Sequence, residues 1–184
     1  MIGLWIILGI AVLLVLFVVG SYNALVQMRE SAKNAWSQID VQLKRRHDLI
    51  PNLVETAKGY MAHERGTLEG VTKARQMAVD ASSLKDRQAA ENMLTSTLRS
   101  LFAVAENYPN LKADQNMRML HEELTTTENK IGFARQYYND EVNRLNVAVQ
   151  SFPNSVIAGQ FGFQKMEFFQ LDDASEKKAP EVKF

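Results

Sequence analysis

The sequence predicts an all-α membrane protein in which an N-terminal transmembrane helix, residues 1–21, continues into an elongated antiparallel bundle of long helices, residues 22–171. Three observations predict this fold. The N-terminal segment is apolar and uncharged, two long segments repeat apolar residues every three or four positions, and proline and glycine are scarce within those segments.

The segment from Ile2 to Gly20 contains only apolar residues and glycine. At about 1.5 Å per residue, a helix of this length spans roughly the 30 Å of a hydrocarbon core. The alternative is a cleaved signal peptide, which would carry a basic stretch before its apolar part. No charged residue precedes Leu4, so we predict a retained transmembrane helix.

The basic residues predict the orientation of the chain. Arg29, Lys33 and the run from Lys44 to Arg46 all follow the apolar segment, and no lysine or arginine precedes it. Because cytoplasmic flanks are enriched in basic residues, we expect a short N-terminus outside and the C-terminal domain in the cytoplasm.

A continuous helix is expected from the membrane segment to about His63. The residues that recur at helical spacing indicate one face packed on neighbouring helices, in the manner of a coiled coil. Pro51 lacks the N–H that would bond to the carbonyl of His47, so we expect a kink there or a restart capped by Asp48. The repeating residues are Leu25, Met28, Ala32, Trp36, Ile39, Leu43, Ile50, Val54, Ala57 and Met61.

The next segment predicts two shorter helices. Gly66 and Gly70 indicate a turn and a loosely formed helical start. A short amphipathic helix follows to about Ala81, with its apolar face at Leu68, Val71, Ala74 and Ala78. The run from Ser83 to Asp86 resembles a capping box with aspartate in place of glutamate, which predicts the start of another helix.

That helix is expected to end at Tyr108-Pro109, with Asn110 capping the next one. Its apolar residues at helical spacing are Leu94, Leu98, Leu101, Phe102 and Ala105. From Leu111 to Phe152-Pro153 no proline interrupts a second long pattern of threes and fours. A turn-rich segment follows. The final residues, 172–184, are charged and predict a disordered tail.

Composition excludes several classes of function. Lys and Arg number 21, and Asp and Glu also number 21, so no net positive field would attract nucleic acid, and we expect no nucleic-acid partner. The chain has no cysteine, which excludes disulfides, thiolate nucleophiles and cysteine-ligated metals.

The three histidines do not form a recognisable metal motif. His63 and His121 are each followed by glutamate, but the fifth position of the H-E-x-x-H pattern is threonine in both cases. We therefore expect His47, His63 and His121 to be solvated. A metal held by His121, Glu122 and a carboxylate of the first helix remains the open alternative.

No phosphate-binding, dinucleotide-binding or nucleophile-elbow motif occurs, and we predict a protein that is not an enzyme, with no catalytic residue, cofactor or metal. Helical carboxylates are expected on solvated faces with partners one turn away. They include Glu122, Glu123, Glu128 and Glu141. The basic run Lys44-Arg45-Arg46 is likewise expected to be a solvated turn.

Aromatic residues near the C-terminus form the main candidate interaction surface. They either fold back onto their own domain or form an exposed patch for a partner protein or a membrane. Two aromatic residues of the second long helix lie outside the apolar face that is expected to pack inwards. The candidates are Phe161, Phe163, Phe168 and Phe169, together with Phe133 and Tyr137.

Several blocks of the sequence resemble the bacterial LemA family. The blocks are YNAL from Tyr22, AWSQIDVQLKRRHDLIPNLVETAKGYMAHE from Ala35, VAENYPNLKA from Val104, TENKIGFARQYYNDEVNRLN from Thr127 and FPNSVIAGQFGF from Phe152.

The resemblance implies a bacterial membrane protein with one span, a helical bundle and no established catalytic activity. One branch of the family is associated with building internal membranes, and no functional residue is carried over. We therefore expect a non-enzymatic scaffold in the bacterial inner membrane that contacts lipid and self-assembles above the dimer. The alternative is a membrane-anchored module that binds an unknown partner protein.

Overall fold

The computed structural model describes residues 1–171, and the predicted tail, residues 172–184, lies outside this range. The all-α fold class is confirmed, because six helices and no strand occur in the described residues. The helices are α1 (Ile2–Lys58), α2 (Arg65–Asp80), α3 (Leu84–Ala105), α4 (Pro109–Ala113), α5 (Gln115–Gln150) and α6 (Asn154–Phe161).

Helix α1 runs without interruption from the apolar segment into the domain. It continues through Pro51, so the predicted restart at Asp48 is wrong. The helix ends at Lys58, before the predicted end near His63, and Gly59 follows directly. Glycine is a poor helix former because its backbone loses the most freedom on ordering.

The region of α2 was predicted in outline. Its buried residues are the four of the sequence pattern, Leu68, Val71, Ala74 and Ala78. However, Gly66 and Gly70 lie within α2 and not in a preceding turn. Burial of the apolar face outweighs the low helix propensity of these two glycines.

The start of α3 follows the capping prediction. The Oγ of Ser83 accepts a hydrogen bond from the backbone N–H of Asp86 at 3.0 Å, which satisfies one of the free donors of the first turn. The predicted cap at Asn110 is wrong, because Pro109 begins the short helix α4 and Asn110 lies inside it. Asp114 caps α5 instead, accepting from the N–H of Met117 at 2.9 Å.

The described chain forms two compact units. Unit 1 comprises Met1–Asp40 with Gly132–Phe168, and unit 2 comprises Val41–Ile131 with residues 169–171 of the described chain. Helices α1 and α5 contribute to both units.

In unit 1, α5 runs antiparallel to α1. Leu25 packs in one cluster with Ala148, whereas Trp36, further along α1, contacts Tyr138 edge to face with ring centroids 5.3 Å apart. The apolar side chains before Gly20 are exposed, and α1 is apolar and long enough to cross a membrane. No other helix in residues 1–171 is both long and apolar enough to do so.

In unit 2, α2 and α3 pack on the last turns of α1 and the first part of α5. Their apolar faces form one buried cluster, which supplies the main hydrophobic stabilisation of this unit. It includes Ile50, Leu53, Ala57, Met61, Leu68, Val71, Ala74, Leu94, Leu101, Leu111, Met117 and Leu124.

Candidate interaction surfaces and a buried ionic network

The six predicted surface residues divide into exposed and buried groups. Phe133 is 73% exposed and Phe161 is 53% exposed, and Tyr137 and Phe168 are also exposed. Phe163 and Phe169 are buried, so these two side chains are not part of an open surface of the chain. Whether the exposed four form an interaction surface stays a prediction.

The burial of Phe163 follows from the end of α6. Gly162 adopts a left-handed conformation with φ of 73°, which suits glycine because it has no Cβ. The chain turns there, and the N–H of Phe163 bonds to the carbonyl of Ala158 at 2.9 Å. The ring of Phe163 then packs against Tyr22 and under the guanidinium of Arg29, which lies 5.3 Å from the ring centroid.

The segment after Phe163 is held against α5 by side-chain hydrogen bonds. Asn146 donates from Nδ2 to the carbonyl of Met166 at 2.9 Å, and its Oδ1 accepts from the N–H of the same residue at 2.9 Å. The hydroxyl of Tyr138 donates to the carbonyl of Glu167 at 2.9 Å. Burial raises the pKa of the Tyr138 phenol, and the negative charge of Glu167 adds to this shift.

The least expected feature of unit 2 is a buried ion pair between Arg46 of α1 and Glu91 of α3. Their side chains are 2% and 0% exposed, and Arg46 Nη1 lies 3.2 Å from Glu91 Oε2. Arg46 Nη2 also donates to Thr95 Oγ1 at 2.7 Å and lies 3.3 Å from Glu128 Oε2 of α5. The guanidinium thus binds side chains of two further helices.

His47 completes this network from the neighbouring position on α1. Its Nε2 lies 2.6 Å from Oε1 of Glu91, and since a carboxylate can only accept, the ring donates this hydrogen bond. His47 is buried, so the expectation of three solvated histidines is wrong for this one and fits only His63 and His121, which are exposed.

The expectation for the basic run is also wrong at one position. Lys44 and Arg45 are exposed, but Arg46 is buried. Arg46 lies between Leu43 and Ile50 on the inward stripe of α1, and Glu91 lies one turn before Leu94 on the inward stripe of α3. The sequence did carry one signal for this buried pair, which is a charged residue within the apolar stripe of each helix. The partners are 44 to 82 residues apart along the chain, so no local motif joins them.

Among the carboxylates predicted to be solvated, some are exposed and one is buried. Glu122 and Glu123 are exposed, whereas Glu141 is buried beside Tyr138 and Leu145 of the inward stripe. Glu141 retains an ion pair one turn away, with Arg144 Nη1 3.3 Å from its Oε1. In residues 1–171, no three His, Asp or Glu side chains come together in a way that could hold a metal ion.

One open groove of about 1030 Å³ lies between the end of α1 and α2. Its floor is apolar, and its ionisable lining residues are Lys58, Arg65, Glu69 and Lys73. A general acid and base need two matched groups within hydrogen-bond reach of one substrate atom. The lining offers a single carboxylate and no histidine, which is a poor set for such chemistry.

Comparison with known proteins gives consistent matches. A family model described as "LemA family" matches residues 35–184. The chain is 26% identical to magnetosome protein MamQ of Magnetospirillum gryphiswaldense, with 84% of this chain and 66% of the relative covered. It is 25% identical to protein LemA of Metamycoplasma hominis, with 84% of this chain and 71% of the relative covered. The chain thus spans slightly less than two thirds of the MamQ relative.

Proposed function

We propose, from the premise that this chain belongs to the LemA family, that it is a non-enzymatic scaffold which self-assembles in the membrane and organises the surrounding lipid. Its N-terminal helix is the membrane anchor, and α1 carries the domain directly behind this anchor without a break. The groove beside α2 is lined by a single carboxylate and no histidine, and the sequence has none of the catalytic motifs considered above. Both observations support a role that does not involve a reaction.

The observation that carries the proposal is the exposure of large apolar side chains on α5 within unit 1. Phe133 and Tyr137 lie one turn apart and share a face, and Val147 lies nearly four turns beyond Phe133 on the same side of the helix. Single exposed apolar residues are common on monomers, but an aligned set is typical of a contact surface.

The contacts of the domain must supply most of the affinity between subunits. The apolar segment contains no G-x-x-x-G pattern, which is the usual means of close packing between transmembrane helices. Because all anchors must enter the membrane in the same direction, head-to-tail contacts would repeat around an axis normal to the membrane. They would close into a ring if the rotation between neighbouring subunits divides the full circle.

Light scattering of the gently extracted protein tests self-assembly. We expect a protein mass well above twice the 20.8 kDa of one chain after correction for detergent. Phe133→Ser should shift the distribution towards smaller species, whereas Gln136→Ser, at a nearby exposed position, should leave it unchanged. A mass of one chain in every mild detergent would contradict the scaffold and favour a module that binds a partner protein through Phe161 and Phe168.

We also propose that the domain lies in the cytoplasm. Arg29 and Lys33 are exposed just beyond the apolar segment, and both contact Glu30, but acidic residues contribute little to the orientation rule. Protease added to intact spheroplasts should spare the domain and digest it after lysis. Digestion before lysis, with a cytoplasmic control protein intact, would show the opposite orientation.

A further inference from the structure

We infer that α6 and the residues before it form a second membrane contact, in which Phe152, Val156 and Phe161 enter the headgroup region of the bilayer beside the transmembrane helix. These three side chains are 83%, 64% and 53% exposed, while Ile157 and Ala158 of the same helix are buried against α1 and α5. The occupant of this surface is membrane lipid.

The position of α6 along α1 supports a lipid contact. The ring of Phe161 contacts Tyr22 with centroids 5.0 Å apart, and Ile157 packs in the cluster that contains Leu25. Leu25 lies five residues beyond Gly20, which corresponds to about 7.5 Å along a helix. The headgroup region of one leaflet is about 5 to 8 Å thick. Helix α6 therefore lies at the depth of the lipid headgroups when the apolar segment fills the hydrocarbon core.

The distribution of charge is a second, independent argument. Residues 145–164 contain no Asp, Glu, Lys, Arg or His, and neither do residues 1–28, although 23% of the chain is charged. These two segments meet at α6. Charged side chains at membrane depth are costly, so their exclusion from this part of unit 1 favours contact with lipid.

The first charged residues beyond these segments, Arg29, Arg144 and Lys165, are all cationic. Arg29 lies over the ring of Phe163, and Lys165 is exposed after it. Cationic groups at this boundary suit the phosphates of the headgroups, while aromatic side chains such as Tyr22 and Phe161 suit the interface itself. An interfacial segment of this kind buries its apolar side chains about 5 to 10 Å into the boundary between headgroups and acyl chains.

This inference requires that the apolar segment crosses the membrane, but it does not depend on self-assembly. The chain has no cysteine, so a spin label can be placed at one chosen position of the full-length protein. We would label Val156→Cys, with Leu13→Cys inside the apolar segment as the lipid control. Gln38→Cys serves as the water control, because it is exposed in unit 1 and lies about 27 Å beyond Gly20 along α1.

Each variant is reconstituted at one copy per nanodisc of phosphatidylcholine and phosphatidylglycerol. We expect the ratio of oxygen to nickel-chelate accessibility to be several-fold higher at Val156→Cys than at Gln38→Cys, and highest at Leu13→Cys. Equal ratios at positions 156 and 38, with position 13 in lipid, would overturn the second contact alone. A label at position 156 that is shielded from both reagents would show protein packing and would also overturn it. Position 13 in water would overturn the membrane anchor itself.

Discussion

The guanidinium of Arg75 donates its Nε–H to the carbonyl oxygen of His47 at 2.7 Å, and this is the carbonyl that Pro51 leaves without a helical partner. Proline has no N–H for the carbonyl four residues earlier. An unpaired backbone carbonyl in a packed region is costly, and Arg75 of α2 provides the missing donor. The proline of α1 and the arginine of α2 are therefore coupled.

The first prediction concerns this coupling. Arg75→Met should lower the free energy of unfolding by about 1 to 3 kcal/mol, because it leaves the His47 carbonyl unpaired. In a Pro51→Ala background the same change should cost less, since the substituted alanine provides the backbone N–H that proline lacks. Thermal unfolding of the full chain in one mild detergent, followed by circular dichroism, measures both effects.

Arg65→Met is the matched control, because Arg65 is exposed at the start of α2. This substitution should change the midpoint of thermal unfolding little. Equal losses for Arg75→Met with and without Pro51 would show that the arginine acts through its packing and not through this carbonyl.

The second prediction concerns the buried ion pair. Glu91→Leu leaves the guanidinium of Arg46 buried with only the half-exposed Glu128 as a charged partner, and it should destabilise the protein by about 3 to 5 kcal/mol. Adding Arg46→Met should recover part of this loss, because the buried guanidinium that lost its main partner is then removed as well.

Glu123→Leu provides the comparison for an exposed pair. Glu123 lies 3.9 Å from Arg45 with both side chains about half exposed, and its loss should cost about 0 to 1 kcal/mol. If Glu91→Leu and Glu123→Leu shift the unfolding midpoint equally, the buried network does not contribute as proposed.

The helices could be predicted from the sequence where the signal is local. The spacing of Leu94, Leu98 and Leu101 depends only on helical periodicity, and the cap at Ser83 depends only on its own first turn. The pairing of Arg46 with Glu91 could not be predicted, because it depends on how α3 packs against α1.

The burial of individual aromatic residues near the C-terminus could not be predicted either. Phe161 and Phe163 lie on either side of Gly162, and one is exposed while the other is buried. Periodicity does not apply where the chain leaves a helix, so the sequence could identify the cluster of aromatics but not which of them faces inwards. Likewise, Asn110 and Asp114 are both suitable helix caps by residue type. Because Pro109 begins the short helix α4, Asn110 lies inside that helix and Asp114 caps α5.

The third prediction concerns the attachment of Met166 to α5. Asn146→Ala removes both hydrogen bonds to the Met166 backbone, which together contribute about 1 to 3 kcal/mol. Hydrogen exchange at the Met166 amide should accelerate by about one to two powers of ten. Asn146→Asp keeps the acceptor for the Met166 N–H but loses the donor to its carbonyl, so its effect should be smaller.

Gln150→Ala is the control for this experiment. The Gln150 side chain donates to the carbonyl of Asn146 within α5, at 2.6 Å, and makes no bond to the Met166 backbone. Its removal should leave exchange at Met166 unchanged. Unaltered protection of the Met166 amide in Asn146→Ala would show that packing alone holds the segment.

The last prediction concerns the pH dependence of the α5 cap. The pKa of Asp114 is lowered from its ordinary value, first because its carboxylate accepts from the backbone N–H of Met117 and next because it accepts from the hydroxyl of Tyr60 at 3.0 Å. A lowered pKa in the folded state means that the ionised carboxylate stabilises the fold. This contribution is fully present above the pKa of the unfolded chain, about 4, and is lost as the pH falls through the lower folded value.

Asp114→Asn retains a cap oxygen but has no ionised form, so it isolates this contribution. The melting temperature of the parent should exceed that of Asp114→Asn at pH 6, and the difference should shrink as the pH falls below about 4. Tyr60→Phe removes one of the hydrogen-bond donors to the Asp114 carboxylate, so the folded pKa of Asp114 should be less depressed. The melting temperature of Tyr60→Phe at pH 6 should therefore lie below that of the parent. Thermal unfolding of the three proteins between pH 2 and pH 7 measures this, and a difference that stays constant across the range would show that the Asp114 charge does not stabilise α5.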